Sequence, residues 1–455
     1  MLAQKIRKRP TIFRKIERRF TSAPPTQHAL ANGDAPFAPS TGLSEICAAT
    51  RNGAVPATAA LVGHRTLARV QAPHILLYSH DAYGLGNIRR TLLLAQALRD
   101  EYPHASILLI TGSPVIHAFQ LPERVDYIKL PCVDRVAADS YEPLYLSNHG
   151  AEIKPMRQDL IKRSILGFKP DLMIVDKKPG GIDNELVETL EALMHQPQRP
   201  RLVLGVRDIL DAPERTRHSL HKSDAFGLIE RYYDEVWVYG AEEVFDHLRE
   251  YDYPAAIAAK AHYCGYLRRP VETSAKANRT PRVLVTTGGG ADGFAVVAAY
   301  LAGLMQLPRS VELRTKVIFG PNMPAAQRED LLEQYGHLTD VKFRDFKPDL
   351  TKEYAKADVV VSMAGYNTVC ELLSSGKRAV LVPREQPVQE QLIRARRLAE
   401  LGLFDLVEQS QLTPDRLINA VLDALNQPAP TQLPVDLDGL PRILQRLDAL
   451  LQEPI

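Results

Sequence analysis

The chain has 455 residues, 45% of them apolar and 24% charged, with a net charge of +2. That length supports two or three domains with sizeable cores. The near-neutral balance excludes a strongly basic nucleic-acid binder, and no apolar run approaches the roughly 20 residues that span a bilayer.

The four cysteines, Cys47, Cys132, Cys264 and Cys370, are far apart. They lack the C-x-x-C spacing of a zinc site and the density of a disulfide framework, which suits a reducing cytoplasm. Residues 1–20 hold eight Lys or Arg against one acid, Glu17, and Ile6, Ile12, Phe13, Ile16 and Phe20 fall near helical spacing. A basic amphipathic helix on an anionic membrane surface fits this pattern; so do a solvated basic tail and an arginine-rich transit segment. Residues 21–63 are rich in Ala, Pro, Ser, Thr and Gly and read as a mobile linker. Residues 1–69 are therefore expected to form a disordered extension.

From Val70 the chain alternates. Apolar runs at 74–79, 106–111, 126–130, 171–176, 201–206 and 235–239 predict strands, and 88–100, 151–167 and 184–195 predict helices. Strands that are apolar throughout, joined by helices, indicate a buried parallel sheet. The polar, Pro-bounded stretch 268–281 predicts a linker between a domain at 70–267 and a second one at 282–426. In the latter, strands are expected at 282–287, 314–319, 340–343, 358–362 and 379–383. Its helices are expected at 293–305, 325–335, 366–375, 388–401 and 414–425. Residues 427–455 form a Pro-rich tail followed by a closing amphipathic helix at 439–452. The expected architecture is α/β, with two Rossmann-like domains facing a cleft, and ligands in such sheets bind beyond the C-terminal strand ends.

Three stretches at those ends carry chemistry. The first, "HDAYGLGNIRR", places Gly84 and Gly86 between a strand and a helix, flanked by His80, Asp81, Asn87, Arg89 and Arg90. Glycines let a backbone approach a ligand, although two glycines also fit a plain tight turn. The second, "VLVTTGGGADG", sets Gly288, Gly289 and Gly290 after a strand and before a helix, a build that accepts phosphate but lacks the Lys-Ser/Thr of a P-loop. The third, residues 357–402, ends one strand at Ser362 and opens a helix at Gly365 carrying Asn367, Thr368 and Glu371. A second strand there leads to Glu390 and Gln391. Glu371 suits a ribose diol, or serves as a plain surface acid. Asp176, at the end of "DLMIVD", faces the cleft or caps a loop. Arg207 and Asp208 form a structural ion pair or an acceptor contact.

The third stretch resembles the C-terminal domain of glycosyltransferase family 28, the MurG-like enzymes. The core from about 73 to 425 is similar to a group of glycosyltransferase relatives of that family, on "YSHDAYGLGNIRRTLLLAQAL", "LGVRDIL" and "FGPNMP". The resemblance implies a GT-B architecture and a metal-independent, inverting transfer of a hexose-type sugar from a nucleoside-diphosphate sugar, with UDP as the default nucleotide. It implies no cofactor. It also implies an acceptor that is lipid-linked or a glycan, and a cytoplasmic enzyme with peripheral contact at the inner face of the membrane. By motif position, Glu371 would hold the ribose. Ser362, Gly365, Asn367, Thr368 and the three glycines would lie near the diphosphate, and Glu390 and Gln391 near the donor sugar. Gly84 and Gly86 would face both the donor phosphate and the acceptor, and Asp176 and Arg207 lie on that acceptor and phosphate side. The family commonly has His at the position of Asn87. Asn cannot take up a proton at neutral pH, so the general base passes to His80 or Asp81, with Asp176 another candidate. A UDP-sugar 2-epimerase, or a sugar-nucleotide binder without activity, would share this build.

Overall fold

The computed structural model describes residues 72–81, 85–137, 140–272, 280–347, 349–427 and 435–452. The expected disordered extension at 1–69, Gly84 and most of the Pro-rich tail fall outside them.

Two parallel sheets organise the chain. The first contains β1 (His74–Ser79), β2 (Ser106–Thr111), β3 (Val125–Lys129), β6 (Leu172–Asp176), β7 (Arg201–Arg207), β8 (Glu235–Tyr239) and β9 (Ala261–Tyr263), in the order β3-β2-β1-β6-β7-β8-β9. Between β3 and β6 sits an antiparallel hairpin of β4 (Val133–Ala137) and β5 (Ser140–Pro143). The second sheet contains β10 (Arg282–Thr286), β11 (Arg314–Ile318), β12 (Val341–Arg344), β13 (Val359–Ser362), β14 (Arg378–Leu381) and β15 (Asp405–Leu406), in the order β12-β11-β10-β13-β14-β15. Each sheet thus grows outward from its first strand in both directions. The point where the order reverses lies between β1 and β6 in one sheet and between β10 and β13 in the other.

Why these runs are strands is visible in their burial. Along β1, Ile75 and Leu77 enter one core while Leu76 and Tyr78 enter another on the opposite face. Along β10, Leu284 faces one core and Val283 and Val285 the other. Both faces are covered, so the runs read as continuous rather than alternating. One core is shared: Ile75, Leu98 and Trp237 of the first half join Leu284, Val360 and Leu373 of the second.

The structure departs from the expected elements in particular places. The β4–β5 hairpin, "VDRVA" and "SYEP", has too few apolar residues to signal itself. Helices Pro213–Lys222 and Ala225–Tyr232 are likewise additions. The stretch 184–195 is shorter than expected, with helix only over Val187–Met194, because Asp183 and Asn184 take positive φ values of 49° and 60°. The closing helix Gly439–Gln452 forms as expected, but it packs back on the first half. Ile443, Leu447 and Leu451 share the core with Ile75 and Leu98, and Arg442 donates to the Cys264 carbonyl at 3.1 Å. Among the described residues no helix is long and apolar enough to cross a membrane.

Candidate active site

The carboxyl ends of both sheets open on one cleft, a cavity of about 270 Å³. Its floor on the C-terminal side is the turn after β10. Gly288 and Gly290 there have φ values of 61° and 90°, a region that side chains rarely enter. A Cβ on Gly290 would stand 2.2 Å from the Phe319 carbonyl oxygen, so no other residue fits without moving the turn. Gly289 holds its place by accepting from the Asn322 amide at 2.7 Å. Across the switch point, Gly365 precedes the helix Tyr366–Ser375, and no side chain caps its first turn. The first amides of such a helix lack partners and favour an anion.

The three glycines, Gly365, Asn367, Thr368, Glu371, Glu390 and Gln391 all border this cavity, as does Gly86 from the opposite half. Ser362 does not: it lies under the floor, fully buried, with an unpartnered hydroxyl.

The charged groups are already engaged, mostly across the two halves. Glu371 receives Arg89 on one oxygen and the Tyr354 hydroxyl, at 3.1 Å, on the other. Glu390 meets Arg207 at 2.6 Å and Arg384 at 3.6 Å. Burial would raise the Glu390 pKa, but these cations outweigh it and hold the carboxylate below its usual range. Asn367 donates to the Gly86 carbonyl at 2.9 Å and accepts from Arg269 at 2.7 Å. Arg384 also reaches Asp292 at 3.1 Å.

Beneath the cleft a buried pair joins the halves. Arg394 Nε and Nη2 each donate to Asp208 at 2.7 Å, and the Tyr266 hydroxyl adds a third bond at 2.8 Å. The guanidinium groups of Arg90 and Arg394 lie 5.7 and 5.8 Å from the centre of the Tyr366 ring, which stacks on Tyr266 at 5.9 Å. Arg207 and Asp208 are therefore not paired with each other. Each reaches instead to the helix Glu390–Glu400 of the other half, Arg207 to Glu390 at its start and Asp208 to Arg394 one turn further on.

The candidate bases lie at the end of β1, outside the cavity lining. Asp81 accepts from Thr111 at 2.6 Å on one oxygen and has no partner on the other. Burial pushes its pKa up to about 6. His80 is buried, and burial, reinforced by nearby lysines and arginines, holds it well below its ordinary pKa. Asn87 is engaged at both ends: its amide donates to the His80 carbonyl and its oxygen accepts from Arg90 at 3.0 Å. Asp176 is held by Arg90 on both oxygens at 2.6 and 2.8 Å, which occupies it as an ion-pair partner rather than leaving it open to the cleft. Among the described residues no cluster of three or more His, Cys, Asp or Glu is placed to hold a metal ion. Arg384, Tyr354, Tyr366 and Arg394 carry no motif of their own, and sequence reasoning passes over them. The only available signal is their position beside strand ends or on the helices that face them.

Residues 282–434 match the model of the glycosyltransferase family 28 C-terminal domain. The UDP-N-acetylglucosamine–N-acetylmuramyl-(pentapeptide) pyrophosphoryl-undecaprenol N-acetylglucosamine transferase of Haemophilus influenzae (strain PittGG) is 31% identical over 144 residues, 31% of this chain and 39% of that protein. The enzyme of the same name from Pasteurella multocida is 28% identical over 154 residues, 34% of this chain and 42% of its own. The chain thus spans about two fifths of the length of the curated relatives it matches. Among solved structures, Acinetobacter baumannii MurG superposes with a TM-score of 0.50 at 17% identity, over 84% of this chain and 99% of that one. A UDP-glucosyltransferase from Polygonum tinctorium reaches 0.56 at 14% identity, again over 84% of this chain and 99% of the other. A putative UDP-N-acetylglucosamine 2-epimerase from Listeria monocytogenes reaches 0.55 at 13%, over 84% and 98%. At these identities the structural likeness speaks to the fold, which is GT-B.

Proposed function

We propose that this chain is a glycosyltransferase that moves a hexose-type sugar from a UDP-sugar to an acceptor hydroxyl, without a metal ion and with inversion at the anomeric carbon. The observation that carries the reading is the meeting of the Gly288–Gly290 turn and the uncapped helix start after Gly365 at one cleft. Together they present backbone amides where a diphosphate would sit. Departure of a nucleoside diphosphate leaves charge on its β-phosphate, and fixed amides and helix starts are suited to stabilise it. Glu371 would hold the ribose, Thr368 would neighbour the phosphates, and Glu390 and Gln391 would bracket the sugar. Asp81 is the preferred base: its raised pKa and open oxygen suit proton uptake near neutral pH, once an acceptor bridges from the cleft.

The names of the relatives contain a UDP-N-acetylglucosamine donor and an undecaprenol-linked acceptor. Carried to this chain, they favour a UDP-sugar and a lipid-linked acceptor met at the membrane surface. Exposed Val136, Tyr145, Leu146 and Met156, in and near the β4–β5 hairpin, offer apolar surface for such contact.

The epimerase reading keeps one support, the superposition on an epimerase fold, and the inactive-binder reading keeps Asn87. Thermal unfolding of the purified protein against a panel of nucleotides and nucleotide sugars, with and without magnesium, tests the donor site. A selective rise with UDP and one UDP-sugar, independent of magnesium, is expected. No rise with any of them would sink the reading. Interconversion of the donor sugar without acceptor would point to the epimerase.

A further inference from the structure

The segment that follows β7 belongs to the first half, yet it grips the second. Arg207 meets Glu390 at 2.6 Å, and Asp208 holds Arg394 on the same helix. Asp211 accepts from the Gln389 amide at 2.8 Å, one residue before that helix begins. Arg215 donates to the Pro387 carbonyl at 2.8 Å. The stretch from Pro387 to Arg394 is therefore set in place by the other half of the molecule.

Glu390 is the residue of that stretch on which the contact bears most. It is 7% exposed, and it borders the cleft together with Arg207, Arg384 and Gln391. Burial opposes its charge; Arg207 first, then Arg394, Arg384 and Lys177, restore it. Of the three arginines, Arg394 is paired with Asp208 and Arg384 with Asp292, whereas the carboxylate that Arg207 meets is Glu390 itself. The two carboxylate oxygens differ. Oε2 has Arg207 Nη1 at 2.6 Å, a contact of charge whose angle makes no directed hydrogen bond. Oε1 has Arg384 Nη2 at 3.6 Å, beyond hydrogen-bond range. One guanidinium from across the cleft thus anchors the carboxylate by one oxygen, and the other oxygen is left to accept from a hydroxyl.

We propose that Arg207, although it stands on the acceptor-side half, is a positioning residue for the donor sugar: it aims Glu390, whose Oε1 accepts from a sugar hydroxyl, and so sets which hydroxyl pattern the cleft selects. The assignment rests on the transferase reading above, which puts the sugar beside Glu390 and Gln391. It makes the choice of donor sugar depend on the half that does not hold the nucleotide.

Calorimetric titration of the whole protein with UDP, UDP-glucose, UDP-galactose and UDP-N-acetylglucosamine tests the proposal in the wild type, R207M, R207K, E390Q and R207M/E390Q. UDP lacks the sugar, so it separates a positioning role from damage to the fold. R207M should weaken the preferred UDP-sugar roughly tenfold and narrow its lead over the other two, while UDP affinity stays within about twofold. R207K keeps the charge and should recover part of the loss. On E390Q, R207M should add nothing further, because Arg207 acts through that carboxylate. Should R207M not fold, R207K carries the same cycle, and its smaller loss must likewise vanish on E390Q. Equal losses for UDP and the UDP-sugars would make Arg207 a support of the fold or of the diphosphate and overturn the proposal. So would a loss that persists undiminished on E390Q, which means direct contact with the sugar, or no loss at all. Failure of the wild type to bind any of the four ligands would remove the nucleotide-sugar reading, and this assignment with it.

Discussion

In the second sheet, the switch point between β10 and β13 is open backbone: three glycines on one side and an uncapped helix start on the other. In the first sheet, the equivalent point between β1 and β6 is crowded with side chains, His80, Asp81, Lys177 and Lys178, on tight three-residue turns. The strand order is the same in both over six strands, the first sheet adding β9 at its edge. One fold thus supplies two kinds of surface at the same place. Bare amides suit a ligand recognised by its diphosphate, the part common to many sugar nucleotides. Side chains suit a partner recognised by its own groups. The family match falls on the half with the bare backbone, residues 282–434.

Four substitutions would break or sharpen that contrast. The largest effect is expected where the halves meet. D208N leaves Arg394 buried without its carboxylate and should cost about 3–5 kcal/mol in denaturant unfolding. A loss under about 1 kcal/mol would show that the halves do not depend on this pair. D81N should slow transfer roughly a hundredfold with donor affinity unchanged. The wild-type rate should rise with pH through about 6 as Asp81 loses its proton, and a flat profile there would remove Asp81 as base.

The same group makes a stability prediction of fixed sign. Its folded pKa, about 6, lies above the ordinary 3.8, so the native state holds the proton longer than the unfolded one. Stability from this group is therefore present at low pH and lost as pH rises from about 4 to about 6. D81N should accordingly be more stable than wild type at pH 8, by about 1–3 kcal/mol.

On the glycine side, G290A must displace the Phe319 carbonyl and hold a positive φ. It should destabilise by more than about 1 kcal/mol and abolish the thermal shift with UDP. A UDP shift that survives would remove this turn from the donor site. The smallest effect belongs to Arg89, which occupies the carboxylate assigned to the ribose. R89M frees Glu371 and should tighten UDP binding, by up to about 1 kcal/mol or roughly fivefold. Weaker binding would instead make Arg89 itself a donor contact.

The sequence by itself determined the two parallel sheets, the position of the glycine turns and most, though not all, of the residues it named on the C-terminal side of the cleft; Ser362 lies beneath it and Arg384 was passed over. These are local signals: continuous apolar runs buried on both faces, and small residues between a strand and a helix. It even placed Asp81 and His80 at the end of their strand. It did not reveal the β4–β5 hairpin, whose few apolar residues follow no period, nor which half the closing helix would cover. Only the tertiary structure decided how the charges pair. Arg89 meets Glu371 across 282 positions and Arg394 meets Asp208 across 186, whereas the neighbours Arg207 and Asp208 part company. A local pattern shows that a charge exists and on which element. Its partner is chosen by the approach of elements far apart in the chain, and by the need to neutralise whatever that approach buries.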